Sequence, residues 1–236
     1  MQTSSTQGEA MKQILQMLLY IIVLATPAIA SIQVDAVVTC DNHYGLYYGS
    51  EDGADLTLVG RNEYGTSGDP GMFNWMFGEE WAFSVEESQY LYAICWDDNL
   101  SDNYSGLLGD FLLSCQENSV LRHTDLTWEG NIADLPPIDP TGEVPPNDEL
   151  TAAIQAFNAD AAWAPIFGEI YNSEIWSQTD GSVSNVSEEA LWVWIDGYIH
   201  EQGRTPFLFR FQIPSEDEIC PTPTTEATWS TLKVSY

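Results

Sequence analysis

Two clusters of side-chain oxygens in this sequence have the chemistry of a calcium site. Asp41 and Asn42 form the first cluster, and Asp97 and Asp98 form the second. Each cluster comes directly after a largely apolar segment, so we expect both to lie in loops at strand ends. Carboxylate and amide oxygens are the ligands that Ca²⁺ prefers, and the four side chains together predict a calcium cofactor. The alternative is that they cap turns by bonding to nearby backbone groups.

Three tryptophans have positions that suit contact with a ligand. Trp75 lies in a glycine-rich segment, residues 62–78, which contains several other large apolar side chains. Trp163 and Trp176 lie in a later aromatic segment with no clear period. Exposed aromatic rings can stack on sugar rings, so these three residues are the predicted ligand contacts. The alternative is that they fill the core, as large aromatic side chains usually do.

Motifs of known catalytic sites are missing from the sequence. It contains no G-x-S-x-G, H-E-x-x-H, P-loop or dinucleotide-binding fingerprint. The three histidines, His43, His123 and His200, are scattered along the chain. Glycoside hydrolysis needs only two carboxylates about 5–10 Å apart, and 36 acidic residues leave that alternative open. Because the catalytic motifs are missing, we expect a protein that is not an enzyme.

Four cysteines favour two disulfides. They are Cys40, Cys95, Cys115 and Cys220. Four cysteines allow three connectivities, and the sequence does not choose among them. Cys40 and Cys95 both precede an oxygen-rich cluster, which suggests that their two strands lie side by side. The first choice is therefore a Cys40–Cys95 bridge, which leaves Cys115 to pair with Cys220.

The start of the chain has the pattern of an export signal. Residues 14–25 form an apolar run, and an Ala-x-Ala cleavage motif ends at Ala30. The sequence therefore predicts a signal peptide, residues 1–30, which is cleaved after Ala30. The alternative is an uncleaved anchor. Translation from Met1 and from Met11 are both compatible with this pattern.

Sequons and cysteines fit an extracellular location. Asn-x-Ser sequons at Asn99, Asn103 and Asn185 predict N-glycosylation, and an even number of cysteines is typical of exported chains. We expect residues 31–236 to form one acidic domain with a proline-rich insert near residues 136–147. No later segment is apolar enough for membrane insertion.

Alternating polarity predicts many short strands. Residues 32–40 and 206–213 alternate most clearly, with an apolar residue at every second position. Further strands are expected over residues 43–48 and 90–96, among others. A helix is expected to begin near Asn147, because apolar residues then recur at helical spacing. About eight to ten strands, glycine-rich turns and one short helix favour a mainly β fold, an antiparallel β-sandwich of the jelly-roll type.

Several segments resemble one family of sandwich domains. The stretches DNHYGLYYGSEDGADLTLVG, WAFSV with QYLYAICWDDN, SGLLGDFLL, and EALWVWIDG with PFLFRFQI are similar to the galactose-binding-like modules of secreted and cell-surface proteins. The resemblance covers about 60% of the mature chain. It implies a jelly roll that often binds sugars, sometimes with a structural calcium. The proline-rich insert and the extra cysteines depart from the family's pattern.

The charge of the chain limits its partners. A formal net charge of −30 at pH 7 repels nucleic acid and anionic lipid. It suits either solubility in a salty medium or binding of divalent cations. We expect a secreted or surface-displayed, non-catalytic binding module that recognises carbohydrate or another extracellular surface partner. The alternatives are a structural protein of an extracellular matrix or coat, and a carbohydrate-active enzyme.

Overall fold

The structure is a computed structural model, and every structural statement below refers to the residues that it describes. These are residues 31–41, 43–62, 75, 77–96, 106–115, 118–132, 145–160, 163–172, 183, 185–195 and 206–220. No helix within these ranges is long and apolar enough to cross a membrane.

The described residues form twelve strands and two helices. In chain order they are β1 (Ser31–Cys40), β2 (His43–Gly49), β3 (Thr57–Arg61), β4 (Glu79–Glu86), β5 (Tyr90–Trp96), β6 (Leu107–Cys115), β7 (Asn118–His123), β8 (Glu129–Ile132), α1 (Asn147–Asp160), β9 (Ala164–Pro165), β10 (Phe167–Tyr171), β11 (Leu191–Trp194), β12 (Phe207–Gln212) and α2 (Glu216–Ile219). The predicted mainly β class is confirmed, and the helix near Asn147 begins where the sequence indicates.

Two antiparallel sheets make up the sandwich. The first has the order β10-β11-β6-β1-β4, with β7 also paired to β6, and the second has the order β3-β2-β5-β12-β8-β9. Neighbouring strands in both sheets run antiparallel. The chain passes from the first sheet to the second between β1 and β2, which are consecutive in the sequence. The predicted antiparallel β-sandwich is confirmed.

Alternation along the strands builds the core between the sheets. In β1, Ile32, Val34 and Ala36 are buried, whereas the side chains between them face solvent. In β12, Phe207 and Phe209 enter the same core from the second sheet. Burying one face of each sheet in this way removes apolar surface from water and stabilises the sandwich.

Helix α1 covers part of the outer face of the second sheet. Leu150 and Ile154, one turn apart, are fully buried against Tyr92, Ile94 and Leu208. This second apolar cluster explains why β5 is buried on both faces, unlike the half-exposed β1. The helix therefore fixes which part of the outer face stays open to solvent.

The predicted pairing of the two cysteine strands is wrong. β1, which ends at Cys40, lies in the first sheet, whereas β5, which contains Cys95, lies in the second. The strand that does pair with β5 is β2, the next one along the chain. The two cysteines, both within the described ranges, are buried and are not bonded to each other. The Cys115–Cys220 disulfide is present, as predicted.

Candidate functional site

A cleft lies on the outer face of the second sheet, beside the end of α1. Its volume is about 560 Å³, which is within the range of small-molecule sites. The residues that line it are Ser50, Glu51, Asp52, Glu129, Asn158, Trp163 and Arg210. We refer to these seven residues as the Trp163 cleft.

Strand register aligns the floor of the cleft. Tyr47 of β2 faces Tyr92 of β5, Tyr92 faces Arg210 of β12, and Arg210 faces Glu129 of β8. Because directly opposed residues share a face of the sheet, these four side chains form one row across four strands. The apolar end of the row lies under α1, and its charged end opens into the cleft.

Trp163 stands at the wall of the cleft in a fixed orientation. It immediately precedes β9, the edge strand that pairs with β8. Its indole Nε1 donates a hydrogen bond to Asn158 Oδ1 at 2.9 Å. Phe157 meets the indole edge-on, with ring centroids 4.8 Å apart. The indole N–H is thus already bonded within the protein, and the ring offers a ligand apolar contact.

A hydrogen-bond chain continues from Asn158 to the far side of the cleft. Asn158 Nδ2 donates to the Tyr92 hydroxyl at 3.3 Å, and that hydroxyl donates to the backbone oxygens of Ser50 at 2.7 Å and Glu51 at 3.0 Å. Burial raises the pKa of Tyr92 to about 12. The phenol therefore keeps its proton at neutral pH, and it ties the turn at Ser50 to the floor.

Arg210 is enclosed by two aromatic rings and one carboxylate. Its guanidinium carbon lies 4.4 Å from the Trp163 ring centroid and 4.9 Å from that of Tyr90. Its Nε and Nη2 atoms both lie 2.7 Å from Glu129 Oε2. Cation–π contact and a charge-assisted bond together hold the planar guanidinium in place. Arg210 therefore fixes the position of Trp163 as well as contributing polar atoms.

The rim of the cleft is a tight turn built from residues 50–55. Gly53 has a φ of +70°, a conformation that favours glycine. The Ser50 hydroxyl and the Ala54 amide both donate to Asp52 Oδ1, at 2.6 and 3.0 Å, and the Ser50 amide donates to Asp55 Oδ1 at 2.7 Å. Hydrogen bonds from Ser50 and its neighbours lower the pKa values of Asp52 and Asp55. The rim therefore stays negatively charged in mild acid.

Replacing Ser50 with alanine is expected to raise the pKa of Asp52 toward its ordinary value, because the lost hydroxyl is the main cause of the lowered pKa. Bonds that lower a carboxyl pKa in the folded state stabilise that state above the unfolded pKa of about 3.9, and this effect disappears as the pH falls through the folded value. An NMR titration of the carboxyl carbons measures the shift. Ser84→Ala, which removes a hydroxyl bonded to Gln33 on another strand, serves as the control. An unchanged Asp52 titration in Ser50→Ala would contradict the assignment.

Of the three tryptophans predicted to contact a ligand, the structure places only Trp163 in the cleft. Trp75 is half-buried, packs on a third apolar cluster that includes Leu108 and Trp192, and accepts a hydrogen bond from Thr39 at its backbone oxygen. That cluster is on the first sheet, away from α1. Trp176 lies outside the described residues.

Most of the predicted calcium ligands also lie outside the described residues, namely Asn42, Asp97 and Asp98. Asp41 is half-buried at the end of β1, where its backbone amide donates to Gly106 O at 3.1 Å. Within the described ranges, no group of three or more His, Cys, Asp or Glu side chains is arranged to hold a metal ion. The calcium site therefore stays a prediction.

Of the three sequons, only Asn185 is described, while Asn99 and Asn103 lie outside the described residues. Asn185 is exposed, and its amide bonds to both backbone groups of Gly78: Oδ1 accepts from the amide at 3.0 Å, and Nδ2 donates to the carbonyl at 2.7 Å. The Asn185 side chain thus joins the segment before β11 to the residue that precedes β4. Its glycosylation stays a prediction.

One of the three histidines lies beside two carboxylates. His123 Nδ1 lies 2.6 Å from Asp110 Oδ1, and His123 Nε2 lies 3.6 Å from Glu189 Oε2. Asp110 Oδ2 also accepts the Ser187 amide at 2.7 Å. These contacts attach the segment before β11 to β6 and β7. The arrangement is on the first sheet, so it does not contribute to the Trp163 cleft.

Comparison with known proteins identifies no family for this chain. No family model matches the chain, and no curated protein or solved structure matches it either. The likeness to galactose-binding-like modules therefore stays a prediction from the segments quoted above. The function is argued below from the residues of the Trp163 cleft.

Proposed function

We propose that this protein is a secreted or surface-displayed, non-catalytic binding protein that recognises carbohydrate at the Trp163 cleft. The observation that carries the proposal is the fixed Trp163 ring at the wall of an open cleft whose other walls carry hydrogen-bonding groups. Six of the seven lining residues are polar or charged, and one aromatic ring among hydrogen-bonding groups suits a ligand with many hydroxyls and an apolar face. The Cys115–Cys220 disulfide supports export, because such bonds persist in oxidising compartments.

The polar groups of the cleft match the needs of a sugar. A hexose has apolar C–H faces and hydroxyls that both donate and accept hydrogen bonds. Trp163 offers an aromatic surface to the apolar face, while Glu51 and Asp52 offer acceptors, and Arg210 offers donors beyond those bound to Glu129. Donors and acceptors beside one aromatic ring would fix the orientation of a bound sugar.

The side chains of the cleft are bonded to one another, which supports the proposed role in binding. Glu129 is bonded to Arg210, Asn158 to Trp163 and Tyr92, and Asp52 to Ser50 and its neighbours. These contacts hold side chains in one arrangement before a ligand arrives, which lowers the entropy lost on binding. A preorganised wall of this kind suits recognition.

Replacing Trp163 with alanine is expected to weaken glycan binding at least ten-fold, because central aromatic contacts contribute about 2 kcal/mol or more at binding sites. A glycan array identifies ligands of the wild-type protein, with and without calcium, and isothermal titration calorimetry then measures the affinity of each variant. Trp163→Phe, which keeps an aromatic ring, is expected to lose less affinity than the alanine variant.

A matched control is available on the first sheet. Phe167 of β10 is an aromatic side chain that is 46% exposed and lies outside the cleft, so Phe167→Ala is expected to leave glycan affinity unchanged. Circular dichroism and thermal unfolding confirm that each variant is folded. Equal affinities for wild type and folded Trp163→Ala, or no glycan bound by the wild type in either calcium condition, would refute the proposal.

A further inference from the structure

We propose that the glycan bound by the Trp163 cleft carries a protonated amine, so that the protein selects amino sugars over neutral and acidic ones. This inference rests on the proposed function and concerns the charge of the same ligand. Three carboxylates line the cleft, those of Glu51, Asp52 and Glu129, against the single guanidinium of Arg210. An excess of fixed negative charge in a concave site favours a cationic ligand and disfavours an anionic one.

The charge of Arg210 is already balanced within the cleft wall. Two of its nitrogens lie 2.7 Å from Glu129 Oε2, and its guanidinium carbon lies within 5 Å of two aromatic ring centroids. Its side chain is only 12% exposed. A uronate or sulfate entering the cleft would have to compete with Glu129 for Arg210. The residue therefore does not offer the uncompensated cation that recognition of an acidic sugar requires.

The rim carboxylates, in contrast, are not balanced by a cation of the described residues. Glu51 and Asp52 are both exposed, and neither forms an ion pair with a basic side chain in that part of the chain. Asp52 accepts hydrogen bonds at Oδ1 from Ser50 and Ala54, which leaves Oδ2 available to a ligand. These bonds also keep the carboxyl ionised in mild acid, because they lower its pKa. An ammonium group at the rim would meet two carboxylates.

The aromatic wall distinguishes an amino sugar from other cations. The net charge of −30 attracts any polycation over a long range, so charge alone would also bring lysine-rich peptides to this surface. A pyranose ring additionally presents an apolar face to Trp163 while its amine reaches the rim. We therefore expect amino-sugar binding to depend on Trp163 and on the rim carboxylates together.

The test compares three tetrasaccharides by isothermal titration calorimetry at about pH 5.5, where amines are protonated and ordinary carboxyls are ionised. They are a glucosamine tetramer, its N-acetylated counterpart and a uronic acid tetramer. At about 0.15 M salt, which screens long-range attraction, the glucosamine tetramer is expected to bind about ten-fold more tightly than the acetylated one, a difference of about 1.4 kcal/mol. The uronic acid tetramer is expected not to bind.

Matched charge variants locate the effect. Glu51→Gln combined with Asp52→Asn is expected to reduce the affinity for the glucosamine tetramer to that for the acetylated one. Asp35→Asn combined with Glu80→Gln removes two exposed carboxylates from the first sheet, and it is expected to change neither affinity. An equal loss in both double variants would show that only bulk charge matters and would overturn the inference.

Two further outcomes separate this inference from the proposed function. If the acetylated tetramer binds as tightly as the glucosamine tetramer and both need Trp163, the amino-sugar inference fails while carbohydrate binding stands. If no tetrasaccharide binds and Trp163→Ala has no effect on any ligand, both fail. Tetralysine is the peptide control, and binding to it as tight as to the glucosamine tetramer, with the same dependence on Trp163, would also overturn the amino-sugar assignment.

Discussion

Replacing Arg61 with alanine is expected to lower the free energy of unfolding by about 3–5 kcal/mol. Arg61 ends β3 and is fully buried, being only 2% exposed. Its Nη1 donates to Pro145 O at 2.6 Å and to Asn147 Oδ1 at 2.9 Å, both at the start of α1. Its guanidinium carbon also lies 5.1 Å from the Trp96 ring centroid. The alanine variant loses the donor for two acceptors, the cation–π contact and the packed volume of the side chain.

Arg61 therefore attaches the first turn of α1 to the second sheet, and its loss should also affect the cleft. Asn158, near the other end of α1, holds the Trp163 ring, so a helix that shifts on the sheet moves a wall of the cleft. Glycan affinity is expected to fall in Arg61→Ala even under conditions in which the variant is folded. Neither rim carboxylate is changed, so the preference for one sugar over another should stay as in the wild type.

Guanidinium chloride unfolding followed by tryptophan fluorescence measures the stability change. Arg61→Lys keeps the charge but not the planar fork, and it is expected to lose less stability than the alanine variant. Arg122 of β7 is exposed, so Arg122→Ala is the control and should change stability by no more than about 0.5 kcal/mol. A loss in Arg61→Ala no larger than that of Arg122→Ala would contradict the role assigned to Arg61.

The sequence predicts the strands well where apolar residues recur without a break at every second position. β1 and β12 show this alternation, and both occur as predicted. The segment from Trp163 onward has no clean period, and the structure gives the reason. The register of β10 against β11 shifts between Phe167 and Ile170, and an irregularity of this kind interrupts the alternation on which the prediction depends.

The pairing of strands was harder to predict than the strands themselves. Cys40 and Cys95 occupy similar places in their local sequences, but the chain changes sheets between β1 and β2. Similar local patterns identify buried strands without identifying their neighbours, because strand pairing depends on contacts between residues distant in sequence. The correct neighbour of β5 is separated from Cys40 by only a two-residue connection.

The cleft could be predicted only in part for the same reason. Trp163 is recognisable as a candidate from its residue type, but its supporting residues come from separate segments of the chain. Arg210 lies among phenylalanines that indicate only a buried strand, and Glu129 is one of 36 acidic residues. The one local signal is the spacing of Asn158 and Trp163, which are five residues apart across the end of α1. The register of four strands, β2, β5, β12 and β8, brings the other members together.

Removal of the Cys115–Cys220 disulfide is expected to lower the free energy of unfolding by about 4–5 kcal/mol. The two cysteines are 105 residues apart, so the bond closes a long loop in the unfolded chain and reduces its conformational entropy. That loop contains α1 and every strand from β7 to β12, and with them four of the seven residues of the Trp163 cleft. In the folded state the bond joins the end of β6 to the residue that follows α2, next to the buried Ile219. The C-terminal part of the second sheet is thereby linked covalently to the first.

The double variant Cys115→Ser and Cys220→Ser tests this effect without leaving one cysteine of the broken pair as an unpaired thiol. Its guanidinium chloride midpoint should fall well below that of the oxidised wild type and should match that of the wild type unfolded in excess reductant. Because a change in the unfolded state is the main cause, the glycan affinity of the folded double variant should equal that of the wild type. Equal midpoints for the oxidised wild type and the double variant would show that the bond does not stabilise the domain. An affinity that falls with the bond would instead show that the link between the two sheets helps to hold the cleft in its binding arrangement.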